Sequence, residues 1–171
     1  APTFDSVDLT NAKFTPGQTG SGGLFLTNCT GANVTIASGV VNELTVTNSQ
    51  LSGTFYASEK LTLNDSTITG RFVTKAFAAT GNNTFVQTAK NSPAQITGGI
   101  TVSKPVALTP AAMEKNVQIV EVSEANKDAA MNSFVLKDAP EGYTLKCRNQ
   151  RYLYLSVSQR VAADGGKLAV G

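Results

Sequence analysis

The sequence predicts a mainly β protein whose first part is a parallel β-helix, and three observations carry that expectation. The segment LTVTNSQLSGTFYASEK from Leu44 is followed without a gap by LTLNDSTITGRFVTKAF from Leu61, a period of seventeen residues. Two earlier copies, VDLTNAKFTPGQTGSGG from Val7 and LFLTNCTGANVTIASGV from Leu24, align with these once the insertion Val41-Asn42-Glu43 is allowed for. They stack Val7, Leu24, Leu44 and Leu61 in one apolar column and Leu9, Leu26, Val46 and Leu63 in another. The fifth position holds Asn11, Asn28, Asn48 and Asp65. These side chains tolerate a left-handed backbone and bond to their own turn, so the column marks a corner.

Each copy carries two or three short stretches in which apolar residues alternate, with Phe14, Leu51 and Ile68 at the eighth position and Ile36, Tyr56 and Val73 near the thirteenth. A period of two places those residues on one face of a strand, and Val, Ile, Thr, Phe and Tyr suit a pleated surface. A four-residue strand cannot bury its inner face alone, whereas coils stacked about 4.8 Å apart share one core. An antiparallel β-sandwich is the alternative, since it too has short strands at regular spacing. Like residues at like positions favour the helix of strands.

The organisation expected is a solenoid with an N-terminal extension over residues 1–105 and a small α+β module or cap over 106–171. The register slips after Phe77. Ala78 to Pro93 keeps one strand core, Phe85-Val86, and alternation resumes at Ile96, Ile100 and Val102, as for irregular last coils. Beyond Pro105, Thr109-Pro110-Ala111-Ala112-Met113-Glu114 has an N-cap residue, Pro at the first helical position and good helix formers, predicting a short helix. A strand is expected over 117–122, a second short helix over 124–131 behind Ser123, and a strand over 134–136. Asp138 to Gly142 then reads as a turn, and a hairpin over 143–158 encloses Arg148-Asn149-Gln150-Arg151. Asp164-Gly165-Gly166 predicts a turn before a final strand at Lys167–Val170.

At 171 residues the chain is long enough to bury a proper core without a disulfide. Its net charge of +2, with 15% charged residues, argues against a nucleic-acid partner. Six Lys or Arg against three acids make 137–171 the only modestly basic region. No apolar run reaches the eighteen residues that a membrane-spanning helix needs. Abundant Thr, Ser, Asn, Ala and Gly, with neither His nor Trp, fit a secreted or surface structural protein, and a start at Ala1-Pro2 fits a processed chain.

Cys29 and Cys147 could form one bridge in an oxidising compartment or remain two buried thiols. Asn28, Asn33, Asn64 and Asn82 lie in Asn-x-Ser/Thr sequons, as glycan acceptors would. Without His, the Ser-His-Asp and Cys-His arrangements are excluded, and no metal or other cofactor is expected. Paired carboxylates would serve glycoside chemistry, but Asp5, Asp8, Glu43, Glu59 and Asp65 do not share a position in the repeat. No catalytic residue is therefore assigned. Lys146, Arg148, Arg151, Tyr152 and Tyr154, with Arg160 beyond, form a basic-aromatic patch at the hairpin, suited to an anionic glycan; a solubilising hairpin tip is the plainer explanation.

In its columns and period the region from Val7 to Phe77 resembles the short-coil parallel β-solenoids of bacterial surface adhesins, filament subunits and bactofilins. The resemblance implies a secreted or cell-surface structural protein acting in adhesion or as a filament subunit, its partners being further copies of itself or surface glycan. Pro2, Thr3 and Phe4 would be the donor segment for assembly, because an exposed solenoid end offers backbone groups that another chain can complete. The alternative is a β-helix that binds or cleaves carbohydrate. The pairs Thr45-Val46-Thr47 and Thr67-Ile68-Thr69 also resemble the grids of ice-binding β-solenoids, although threonine is in any case a good β former.

Overall fold

The computed structural model describes residues 1–16, 22–148 and 151–157, together with the backbone of 160–164 and 167–170. In chain order the strands are β1 (Thr3–Asp5), β2 (Lys13–Phe14), β3 (Gly23–Thr27), β4 (Thr30–Ile36), β5 (Glu43–Thr47), β6 (Gln50–Asn64), β7 (Thr67–Thr80), β8 (Thr84–Gln87), β9 (Ala94–Ile96), β10 (Ile100–Val102), β11 (Val106–Thr109) and β12 (Gln118–Val122). A 3-10 turn at Glu124–Asn126 leads into α1 (Lys127–Ser133), followed by β13 (Phe134–Leu136), β14 (Tyr143–Arg148), β15 (Tyr152–Val157), β16 (Arg160–Asp164) and β17 (Lys167–Val170).

The strands wind into a parallel β-solenoid of about five turns. Three columns of parallel rungs form its sides. The first contains β1, β3, β5, the ends of β6 and β7, and β10, with Leu24 over Leu44, Leu61, Phe77 and Ile100 in one register. The second runs from the Asp8–Thr30 bridge through the starts of β4, β6 and β7 to β8, β11 and β13, stacking Leu51, Ile68, Phe85, Leu108 and Leu136. The third takes β2, the end of β4, the middle of β6 and β7, β9 and β12. It continues into β15 and β14 as antiparallel additions. The last two strands, β16 and β17, pair separately.

Inward alternation from three sides makes one core. Phe55, Phe72, Phe77 and Phe85 are fully buried in it, and Phe72 meets Phe85 edge-on at 5.0 Å and stacks with Phe77 at 5.3 Å. Corners form where the sequence supplies residues that accept positive φ: Asn28 (54°), Asn48 (47°) and Asp65 (50°) fall in one column and Gly81 (77°) follows. At another corner Gly53 and Gly70 lie directly over one another. A Cβ at Gly53 would stand 1.8 Å from the Val34 carbonyl oxygen, so the coils approach only because this side chain is absent.

Several expectations change. The first coil is offset by twenty-two residues from the second: Thr3 pairs with Phe25 and Lys13 with Thr35. Val7 therefore does not stack on Leu24, and Asn11 shares its corner with Asn33, whose Nδ2 donates to Asn11 Oδ1 at 2.9 Å. Pro2, Thr3 and Phe4 are no free extension, because β1 is the first rung of the first column and the Pro2 carbonyl accepts from Phe25 N. Past the composition change at Pro105 the parallel ladder goes on through β11, β12 and β13. Thr109–Glu114 is not helical. Burial of Leu108 in the ladder and donation from Ala111 N to Gln87 Oε1 hold it against the stack.

The two thiols are free. Cys29 lies in the second coil and Cys147 in β14, six rungs up the stack, about 25–30 Å away. A disulfide requires Cα atoms within about 7 Å. The second short helix, the 134–136 strand and the hairpin form where predicted. Asn149, Gln150 and, in the expected Asp164-Gly165-Gly166 turn, Gly165 and Gly166 lie outside the described residues, as do the side chains of Arg160–Asp164 and of Lys167–Val170.

Candidate functional site: the outer face of the third column

Outward positions differ in chemistry from one column to the next. The first column presents Phe25, Thr45, Thr62, Ala78 and Thr101 along one row and Thr27, Thr47, Asn64 and Thr80 along the other. The Thr-x-Thr pair occupies one rung there, and Asn64 engages its neighbours: Nδ2 donates to Thr47 Oγ1 at 3.2 Å and Oδ1 accepts from Thr80 Oγ1 at 2.5 Å.

The third column instead aligns Tyr56, Val73, Gln95, Glu121, Tyr152 and Arg148 in a single transverse row. They come from four successive coils, brought together by parallel register, and from the hairpin, added by antiparallel pairing. Arg71, one position before Phe72, lies beside this row. Its Nη1 donates to Tyr56 Oη at 2.9 Å and its Nε to the Pro93 carbonyl at 3.0 Å, with the guanidinium 5.9 Å from the Tyr56 ring centre.

All five predicted hairpin residues reach this region. Leu145, Cys147, Leu153 and Leu155 take alternate positions, the two β15 leucines being fully buried, so Lys146, Arg148, Tyr152 and Tyr154 fall on the opposite face. Lys146 is directly across from Tyr154 and Arg148 from Tyr152. Arg148 stacks over the Tyr154 ring at 5.1 Å, a cation–π contact that keeps a charge beside an aromatic plane. Its Nε is buried and lacks a hydrogen-bond partner among the described residues. Arg151 lies over Tyr152 at 5.9 Å and pairs with Glu121 Oε2 at 3.3 Å. Gln95 Nε2 donates to Glu121 Oε1 at 3.5 Å.

Two hollows open where this face turns towards the first column, and Thr97 lines both. One, of about 180 Å³, lies between Tyr56 and Lys75; the other, of about 130 Å³, lies between Thr97, Glu121 and Arg151. Planar rings, amides and cations in a row suit the apolar faces and hydroxyls of sugars.

Sequence reasoning found the hairpin but missed Tyr56, Arg71, Gln95 and Glu121. Their separations along the chain are unequal, seventeen, twenty-two and twenty-six residues from Tyr56 to Val73, Gln95 and Glu121 in turn. The acids considered for glycoside chemistry lie elsewhere: Glu43 is in register with Lys60, and Asp65 accepts from Asn82 N at the corner. Among the described residues no three of His, Cys, Asp and Glu converge as metal ligands. No described helix is long and apolar enough to cross a membrane. Of the sequon residues, Asn28, Asn33 and Asn64 donate through Nδ2 to Asp5, Asn11 and Thr47, while Asn82 Oδ1 accepts from Lys104. Comparison of the chain with protein-family models, with curated proteins and with solved structures finds no match.

Proposed function

We propose that the chain is a secreted or cell-surface structural protein acting in adhesion, and that it holds surface glycan on the outer face of the third column. The observation that supports this reading is the row Tyr56–Val73–Gln95–Glu121–Tyr152–Arg148, continuous over the coils, while the first column's outward rows are mostly Thr and Asn. Aromatic rings offer rigid contact area at low entropic cost, and the Arg and Gln groups fix orientation. A glycan array probed with the wild-type chain and with the double variant Tyr152→Ala/Arg148→Ala tests it. Binding by the wild type and its loss in a variant of unchanged circular dichroism is the expected outcome. Equal binding by both, or none by either, would remove the reading.

The second reading, a filament subunit, is favoured by the ends of the stack. At the first coil Phe4, Leu9, Ala12 and Phe14, with Lys13 beside them, line a hollow of about 380 Å³. At the other end Phe134, Leu136, Tyr143 and Leu145, with Asp138 and Thr144 beside them, line one of about 470 Å³. Two antiparallel steps also restore direction, so β14 runs parallel to β2 and could extend the third column into a second copy. Electron microscopy of negatively stained protein separates filaments from discrete particles.

A further inference from the structure

The hollow beneath Tyr56 has an origin in the ladder. Ala57 pairs with Thr74 and Lys60 with Ala76, so Ser58 and Glu59 stand against Lys75 alone and the rungs part locally. The next coil closes over the gap at one side only, through Thr97 N donating to the Thr74 carbonyl at 3.1 Å and Gly98 N to the Lys75 carbonyl at 2.6 Å. Gly98 is also where the Lys75 stem lies: an added Cβ would stand 3.1 Å from Lys75 Cγ. Lys75 is exposed and lines the hollow.

The lining sorts by chemistry. Val73 and Ala57 give an apolar floor, Ser58, Thr97 and Tyr56 give hydroxyls, and Lys75 gives one positive charge. No carboxylate lines the hollow among the described residues. Arg71 Nη1 donates to Tyr56 Oη, so the phenol keeps its own O–H to give to another acceptor. A cleft with hydroxyl donors, a cation and an apolar floor is complementary to a sugar ring carrying a negative group.

We infer that this hollow is a subsite for one acidic sugar unit, its carboxylate on Lys75 and a ring or hydroxyl oxygen on Tyr56 Oη, with the chain of sugars passing Thr97 towards Arg151. The inference rests on the glycan-adhesion reading and narrows it to a ligand class. Isothermal titration of the full chain with a uronic-acid tetrasaccharide, its neutral counterpart of the same linkage, and a sulfated form of that neutral sugar tests it.

The uronate should bind about tenfold more tightly than the neutral sugar, with affinity falling as salt is raised. Lys75→Ala should erase that preference, and Tyr56→Phe should weaken uronate binding about fivefold, the loss of one hydrogen bond. Tighter binding of the sulfated sugar than of the uronate would overturn the carboxylate assignment. Equal binding of uronate and neutral sugar, or uronate affinity unchanged in both variants, would overturn the subsite. If affinity were unchanged in those two variants but lost in Tyr152→Ala/Arg148→Ala, the hairpin reading would stand while the subsite fell. Melting curves matching wild type identify the variants as folded.

Discussion

Cys29 occupies a position that Ser49, Ser66 and Asn83 fill in the next three coils, just inside the corner, and all four are buried. Each of the later three accepts the backbone N–H of the residue one coil earlier. Cys29 N donates to Ser49 Oγ at 2.9 Å, Ser49 N to Ser66 Oγ at 3.1 Å, and Ser66 N to Asn83 Oδ1 at 2.8 Å. The hydroxyls return a proton to the preceding strand, Ser49 Oγ to the Thr47 carbonyl and Ser66 Oγ to that of Asn64, and Cys29 Sγ does the same to Thr27 at 3.3 Å. A thiol here is a weak serine. Ser66→Ala should therefore cost about 1–3 kcal/mol in denaturant unfolding, since it orphans the buried Ser49 N–H. Cys29→Ser should stay within about 1 kcal/mol of wild type, because it keeps the acceptor on Thr27. A larger loss for Cys29→Ser than for Ser66→Ala would show that the ladder does not govern this corner.

At the same scale, hydrogen bonds hold two exposed carboxylates of the first coil ionised. Ser6 Oγ and then Asn28 Nδ2 pull Asp5 below the ordinary aspartate value of 3.8, and the Thr10 hydroxyl and then its N–H do so for Asp8. A depressed folded value means that the stabilisation is present above 3.8 and fades as pH falls through the folded values. Protection of the Ser6–Thr10 amides, corrected for the intrinsic exchange rate at each pH, should fall below that pH while that of the coils at Leu44 and Leu61 holds. Simultaneous loss throughout the stack would contradict it.

Among the elements, the hairpin holds the candidate site in place. Leu153 and Leu155 are its buried face, and β15 joins it to β12, where Arg151 meets Glu121. Leu153→Ala should cost about 2–5 kcal/mol. Burial also raises the Cys147 thiol above its ordinary value, so less thiolate is available near pH 8. Ellman's reagent should find Cys147 slow and Cys29 inert in the folded chain, and two thiols on unfolding; one or none on unfolding would mean the thiols are not both free.

The elements also show where sequence is readable. Leu24, Leu44 and Leu61 stack as the repeat implies, because the insertion Val41-Asn42-Glu43 is taken up at a corner and equal side chains fix the same register twice. The first coil misleads because alternation specifies only parity: Val7-Asp8-Leu9 has the same pattern as Leu24-Phe25-Leu26, yet Asp8 pairs with Thr30 on another column. Thr109–Glu114 carries helix signals of a few tenths of a kcal/mol per residue, which the buried Leu108 and the bond from Tyr143 Oη to the Met113 carbonyl override. Tyr152 and Arg148 are visible as a site because they are near in sequence. Tyr56, Gln95 and Glu121 are not, since coils of unequal length set their meeting.

On the scale of the molecule, stacking makes stability a sum of neighbour terms. The coils at Leu44 and Leu61 have a neighbour on either side. At the far end α1, with Ala130 fully buried, packs against β10, and the hairpin extends the third column. Within this chain the first coil has a neighbour on one side, and Phe4 and Ala12 are left half-buried around the open hollow. Its amides should then exchange by local opening well before those of β6 and β7, in contiguous units that start at β1 and β2. Hydrogen-exchange mass spectrometry at low protein concentration should find residues 3–14 deuterated while 50–64 and 67–80 remain protected; uniform protection would oppose the neighbour-sum account. The same measurement at rising concentration bears on assembly. If a second copy adds β14 to the free side of β2, protection of 3–14 must grow with concentration while that of the middle coils stays constant, because only the end rungs gain partners. Protection of 3–14 that never changes up to millimolar protein would exclude end-to-end docking and leave the side face as the working surface.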